Sequence, residues 1–353
     1  MKRLILFFLL ILSILVAGCL NEKKSKKETK IKIIDQMGRK VEVSGKVERI
    51  VSLWPEATRV LLALGVKDKI VGLDSYSRTC PILTRVFPKI KNIPDVGSSI
   101  SGTLSVEKIA QLKPDIIFTW AYDPELADKL QKSLGVPVVC VRMHPPKKMI
   151  SFDMLTIIGK CVGKESRAEE IKNYLEQKLF KITSVTSKIP DSKKPKVYPV
   201  DPRDLLKILA RSEYVNLAGG RNLADVSRKG MGYTVSLEDL LYWNPDVIIL
   251  SGFAKLKPQD ILKNSRWQKI KAVKQGKVYK LMLGWVGYGP AMSVINVMSA
   301  AKVFYPDRFD FDLEKEANEI FKFVYGIENL YTELKNTYRL SDVPPSNSEK
   351  PSK

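Results

Sequence analysis

One histidine, His144, and four cysteines with no CxxC pair are all the soft ligands that 353 residues offer. That scarcity excludes a disulfide framework and leaves too little for a zinc site, so zinc hydrolase, zinc finger and c-type haem readings fall away. Also missing are a GxSxG elbow, a phosphate-binding P-loop and a spaced His/Asp/Glu ligand set, the equipment that exported enzymes commonly need. No catalysis and no resident cofactor are therefore expected. Acid is in short supply: 38 Asp and Glu face 59 Lys and Arg, a formal charge of +21. Such a balance suits nucleic acid, anionic lipid or an anionic ligand and does not choose among them. With 44% hydrophobic residues, the chain can build one large or two ordinary domains.

The amino terminus decides the compartment. Lys2 and Arg3 precede an apolar run from Leu4 to Val16, broken only by Ser13, which is too short for a span and reads as a secretory signal over 1–18. The run closes on Leu15-Val16-Ala17-Gly18-Cys19, which resembles a lipobox. Cys19 is thus expected to carry lipid and to hold the protein on the extracytoplasmic face of the cell membrane. Export, and the lack of basic and aromatic residues interleaved on one element, oppose nucleic-acid binding. Residues 19–30 are polar and Lys-rich, a flexible tether; 339–353 have Pro, Ser and charge but no apolar face, and are expected to be a disordered tail.

Between these ends short β-branched runs alternate with amphipathic stretches: RIVSL, PEATRVLLALG, KIVGLD, then DIIFTW, PELADKLQKSLG and VPVVCV. That alternation predicts parallel βαβ units. It returns after residue 190 in PKVYPV, SLEDLLYWNP, DVIILS and GKVYKLM. The fold class expected is α/β, two Rossmann-like lobes with central parallel sheets, over 31–165 and 191–338. TLSVEKIAQLKPDIIFT from Thr103 aligns without a gap on TVSLEDLLYWNPDVIIL from Thr234, which marks a structural repeat. In each copy a serine, Ser105 or Ser236, is placed to cap a helix, Glu107 or Glu238 lies in the first turn, and Pro-Asp ends the helix before a strand. From 166 to 190, Ala168, Ile171, Tyr174, Leu175, Leu179, Ile182, Val185 and Ile189 recur every three or four residues. They predict one long rigid helix joining the lobes, capped by Ser166 and stopped by Pro190. A rod of this kind allows a small opening motion around a ligand held between the lobes.

The lipobox, the two lobes, the linking helix and the strings RIVSLWPEATRVLLALGVKDKIVGLD, EKIAQLKPDII and YVNLAGGRNLAD together resemble the cobalamin and iron-siderophore class of ABC-transporter substrate-binding lipoproteins. The resemblance implies a monomer that captures a metal chelate, a ferric siderophore, haem or corrinoid, and delivers it to a permease driven by a cytoplasmic ATPase. It implies that Glu107 and Glu238 dock into Arg-lined pockets of that permease, where charge-assisted forks fix orientation. Family members usually open the first βα turn with Leu-Ser-Pro and Thr-Glu. Here Trp54 replaces the Ser, and Arg59 replaces the Glu.

Ligand contacts are expected from strand ends and βα loops: Trp54, Tyr76, Arg78, Trp120, Tyr122, Arg142, His144, Tyr233, Trp285 and Tyr288. Aromatic faces suit a flat chelate, and Arg suits its anionic groups. Ile100, Ser101 and Gly232 fall where corrinoid binders carry aromatics. An oxyanion such as molybdate or tungstate, held by Arg and helix N-termini, is the alternative, and a surface enzyme or sensor a further one. Cys80, Cys140 and Cys161 are expected to be unpaired.

Overall fold

The computed structural model describes residues 30–143, 150–201, 204–209, 212–226, 232–252, 254–282 and 289–344. A hairpin of β1 (Lys30–Ile34) and β2 (Lys40–Ser44) precedes β3 (Ile50–Ser52), β4 (Ile70–Leu73), β5 (Ile116–Trp120) and β6 (Val138–Val141). The last four form a parallel sheet in the order β4-β3-β5-β6. Their continuous apolar sequences follow from burial on both faces.

The second lobe contains β7 (Lys196–Asp201), β8 (Asp204–Leu209), β9 (Arg221–Asn222), β10 (Gly232–Thr234), β11 (Val247–Ser251) and β12 (Val278–Leu281). Strand order is β10-β8-β7-β11-β12, with β9 also on β7. The core β7, β11 and β12 is parallel as expected, whereas β8 and β10 run antiparallel at one edge. Only two residues separate β7 from β8, and a parallel crossover needs a dozen or more, so that pair closes as a hairpin.

The internal repeat survives in three dimensions. Ser105 and Ser236 each cap a helix, Val106–Gln111 and Leu237–Trp243, by accepting from the backbone N–H three residues on. Lys113 and Asn244, equivalent positions, both take the left-handed conformation, with φ 45° and 46°. Asp115 Oδ2 accepts from the N–H of Glu48 and Arg49 at 2.8 Å, just ahead of β3. Asp246 Oδ2 does the same for Lys196, at the start of β7, at 2.8 Å. The Pro-Asp pair thus ends a helix and also pins the neighbouring parallel strand.

The linking helix spans Glu165–Thr186, 22 residues and about 33 Å at ~1.5 Å per residue. Its expected stripe faces inward, with Ala168, Ile171, Leu175 and Ile182 buried. Ser166 is not its cap: Lys164 holds that position without a side-chain bond, and the helix stops four residues before Pro190.

Two expectations about the carboxyl end need correction. The helices Leu313–Tyr325 and Leu330–Tyr338 do not complete the second lobe; Ile320, Phe321, Leu330 and Leu334 join one core with Ala57, Val60 and Leu175. Helix Pro290–Phe304 lies between them and the second sheet: Val294 and Ile295 belong to that first-lobe core, Val303 to a cluster with Val197 and Ile249. Amphipathic periodicity told that these helices bury a face, and not which lobe receives it. Nor does an unstructured tail begin at 339. Leu340 is buried, Ser341 donates its N–H to Lys280 O at 2.9 Å and accepts from Lys280 N at 2.8 Å, and Lys335 pairs with Asp342 at 2.7 Å. The segment covers the otherwise open edge of β12, a common solution to unpaired strand groups.

Candidate ligand-binding site

Strand order places the site. β3 and β5 are neighbours with Ser52 opposite Phe118, so the residues two further on, Trp54 and Trp120, meet at the carboxyl ends of the parallel strands, where open α/β sheets bind ligands. Their rings stack, centroids 4.4 Å apart and planes within 3°. Tyr122 packs tilted against Trp120, with ring centroids 4.2 Å apart and planes at 56°. Just past the next strand, the Arg142 guanidinium lies 5.3 Å from the centre of the Tyr122 ring. The four side chains form one ladder, two half-buried indoles, a phenol and a cation, along the rim of the first lobe. Trp54 Nε1 is buried with no hydrogen-bond partner among the described residues.

The two arginines also bond within the protein, while the Nε of Arg78 and of Arg142 is buried with no hydrogen-bond partner among the described residues. Arg142 donates to the carbonyls of Ala121 (3.2 Å) and Gln36 (3.4 Å), while its backbone is clasped by the Gln36 amide at 2.6 and 2.9 Å. Arg78 pairs with Asp95 at 3.3 Å and donates to Lys91 O at 2.6 Å. Tyr76, in the turn after β4, is 40% exposed. Tyr233 does not join the ladder: it sits on β10 opposite Ile208 and packs on the core of the second lobe. His144, Trp285, Tyr288 and Cys19 lie outside the described residues. Glu107 and Glu238 are exposed in the first turns of their helices and enter no ion pair among the described residues.

Sequence reasoning missed what lies beneath the tryptophans. Ser52 Oγ, Thr58 Oγ1 and Ser77 Oγ form a chain at 2.8 and 3.0 Å, which ends on the carboxylate of Asp74. The Ser52 and Thr58 hydroxyls also lie 3.2 and 3.3 Å from Trp54 O, so the network fixes the turn that presents the indole. Asp74 accepts from the N–H of Tyr76 and Ser77, a local turn for which Asp followed by Ser was the available signal. Burial pushes its pKa up to about 6 against these hydrogen bonds and the positive charge of Arg59. The folded protein therefore keeps this proton to about pH 6, whereas an unfolded chain releases it near 3.9. Its contribution to stability is full below the unfolded value and is lost as pH rises through 6. Asp74→Asn is expected to flatten the pH dependence of the denaturation midpoint between pH 4.5 and 7, removing a difference of about 2 kcal/mol; an unchanged slope would place the titration elsewhere.

Helix Pro55–Ala63 is buried on every side, including Glu56 and Arg59. Glu56 Oε2 accepts from Met143 N at 3.1 Å. Arg59 donates to Cys80 Sγ at 3.3 Å, and its stem lies against Gly289, where an added Cβ would meet Arg59 Cδ at 2.6 Å. One helix thus holds the backbone just before 144–149 and just after 283–288. Cys80, Cys140 and Cys161 are free and buried, and burial raises the thiols of Cys140 and Cys161 to about 12. Among the described residues no group of His, Cys, Asp and Glu is placed to hold a metal ion, and no helix is long and apolar enough to cross a membrane.

With this geometry in hand, known proteins provide comparison. A family model described as periplasmic binding protein matches residues 50–282. The molybdate-binding protein MolA of Haemophilus influenzae is 26% identical over 324 residues, 83% of this chain and 90% of its own. The Fe(3+)-citrate-binding protein YfmC of Bacillus subtilis is 27% identical over 301 residues, 78% of this chain and 87% of its own. The solved structure of the Haemophilus protein bound to molybdate matches with a TM-score of 0.72 at 23% identity, covering 84% of this chain and 98% of that one.

Proposed function

The chain belongs to the periplasmic binding protein family, and on that premise we propose that it captures an anionic metal chelate between its lobes and delivers it to the permease of an ABC importer. The observation that carries this reading is the ladder of Trp54, Trp120 and Tyr122: flat apolar faces at the strand ends, beside the cation of Arg142. A planar or macrocyclic chelate gains most from such a wall by stacking. A bare oxyanion would instead draw on donors such as the Nε–H groups of Arg78 and Arg142, which have no hydrogen-bond partner among the described residues. Glu107 and Glu238, exposed at equivalent positions of the two lobes, dock to cationic pockets of the permease. Cys19 carries the lipid anchor, and the protein acts as a monomer.

A thermal-shift panel on the chain from Lys30 onward tests the ligand class: cobalamin, haemin, ferric citrate, several ferric siderophores, molybdate and tungstate. A ligand at 100 times its Kd adds about 2.7 kcal/mol. The expected result is a shift with one chelate that Trp120→Ala abolishes. The second reading, an oxyanion receptor, is favoured by similarity to the molybdate-binding relative; a shift with molybdate or tungstate alone, indifferent to Trp120→Ala, would replace the first.

A further inference from the structure

The helix Leu237–Trp243 that carries Glu238 buries Leu240 and packs Leu237, Leu241 and Trp243 against the second-lobe core. Tyr242 is the exception: it is 87% exposed, the most exposed of the large hydrophobic side chains among the described residues. It lies four positions after Glu238, so both stand on the same outward face, one turn apart. The repeat provides an internal control. Glu107 corresponds to Glu238 and Gln111 to Tyr242, at the same offset of sequence, and the first-lobe helix folds around its capping serine with the polar residue there. Nothing in the fold asks for an aromatic at 242, and a solvent-facing ring contributes little to folding. Tyrosine is, however, enriched in the cores of protein interfaces, where a rigid ring buries much area at little entropic cost. Glu238 beside it is a carboxylate that enters no ion pair among the described residues, on a chain of net charge +21.

We propose that Tyr242 and Glu238 form a single contact patch for the permease, the carboxylate meeting a cationic group and the phenol ring filling an adjacent apolar slot. The second lobe then provides the larger share of the docking energy. This rests on the docking role proposed for the two glutamates and deepens it.

The full-length lipidated chain, expressed in its own cell with a photo-cross-linking phenylalanine analogue at 242, 111 or 180, tests the inference. Position 180 is a control, since Phe180 is 68% exposed on the linking helix. The expected result is an adduct from 242 whose partner is identified by mass spectrometry as the membrane-spanning subunit of an ABC importer, at a yield at least tenfold above that from 180. Tyr242→Ala should lower capture from 111 severalfold, Tyr242→Phe should restore it, and the melting temperature should not move. Capture of the permease from 111 but not from 242 would overturn the inference and leave docking by the lobe tips intact. Capture from neither would overturn both.

Discussion

Arg59→Met is expected to lower the stability of the folded protein by about 3 to 5 kcal/mol at neutral pH, the cost of removing one partner from a buried charge cluster. The residue is 1% exposed and Glu56, one turn earlier, is 5% exposed. Arg59 also acts on the buried Asp74 carboxylate. Methionine replaces the stem that packs on Gly289 but not the positive charge, so both carboxylates are left desolvated beside a neutral chain. Denaturant midpoints of Arg59→Met and of the double variant with Glu56→Gln measure this directly. The second change should recover part of the loss, because it removes a charge that has lost its counterpart; no recovery would mean that Arg59 matters through shape. Ligand affinity should fall together with stability, since the same side chain braces the start of helix Pro290–Phe304, next in sequence to the expected ligand contacts Trp285 and Tyr288.

Gly97→Ala is expected to cost about 2 to 5 kcal/mol, combining a backbone conformation that resists side chains with a steric clash. Gly97 has φ +84°, and a Cβ there would lie 2.0 Å from Thr103 O. The obstacle is backbone, so no rotamer change relieves it. Relief requires the 97–104 loop to open, and that loop leads into the helix bearing Glu107. Gly135→Ala is the matched control: its φ is +65° with nothing within 4 Å of the added atom, so it should show only the conformational part, about 1 kcal/mol. Equal melting temperatures for the two variants would refute the steric argument.

How far the sequence revealed the molecule depended on whether the relevant partner was near in the chain. The repeat around Thr103 and Thr234 was legible because caps, helix breakers and strands are local, and the paired serines and prolines then appear where spacing puts them. The aromatic end of the site was legible for a related reason: Trp54 and Trp120 each follow a clear strand, and parallel pairing brings strand ends together. The protein partners of Arg78 and Arg142 were not legible, because Asp95 and the carbonyls of Gln36 and Ala121 come from distant or backbone sources that composition does not flag. Arg59 was visible only as a departure from a family pattern; its burial follows from a helix enclosed on all sides, where amphipathic reasoning has no polar face to find. The carboxyl-terminal helices were recognisable as helices, but their attachment to the first lobe is a matter of long-range packing.

That attachment bears on how the transporter is supplied. The chain crosses to the second lobe along the Glu165–Thr186 helix and returns through helices that share the first lobe's core, so the lobes are joined by two routes, and the expected change of outline on loading is small. Under the proposed function, empty and filled copies are then expected to compete for the same docking ground almost as equals. Uptake becomes a matter of the loaded fraction rather than of copy number, and raising expression when the ligand is scarce should slow import, an inversion that a titration of expression level against uptake rate would reveal.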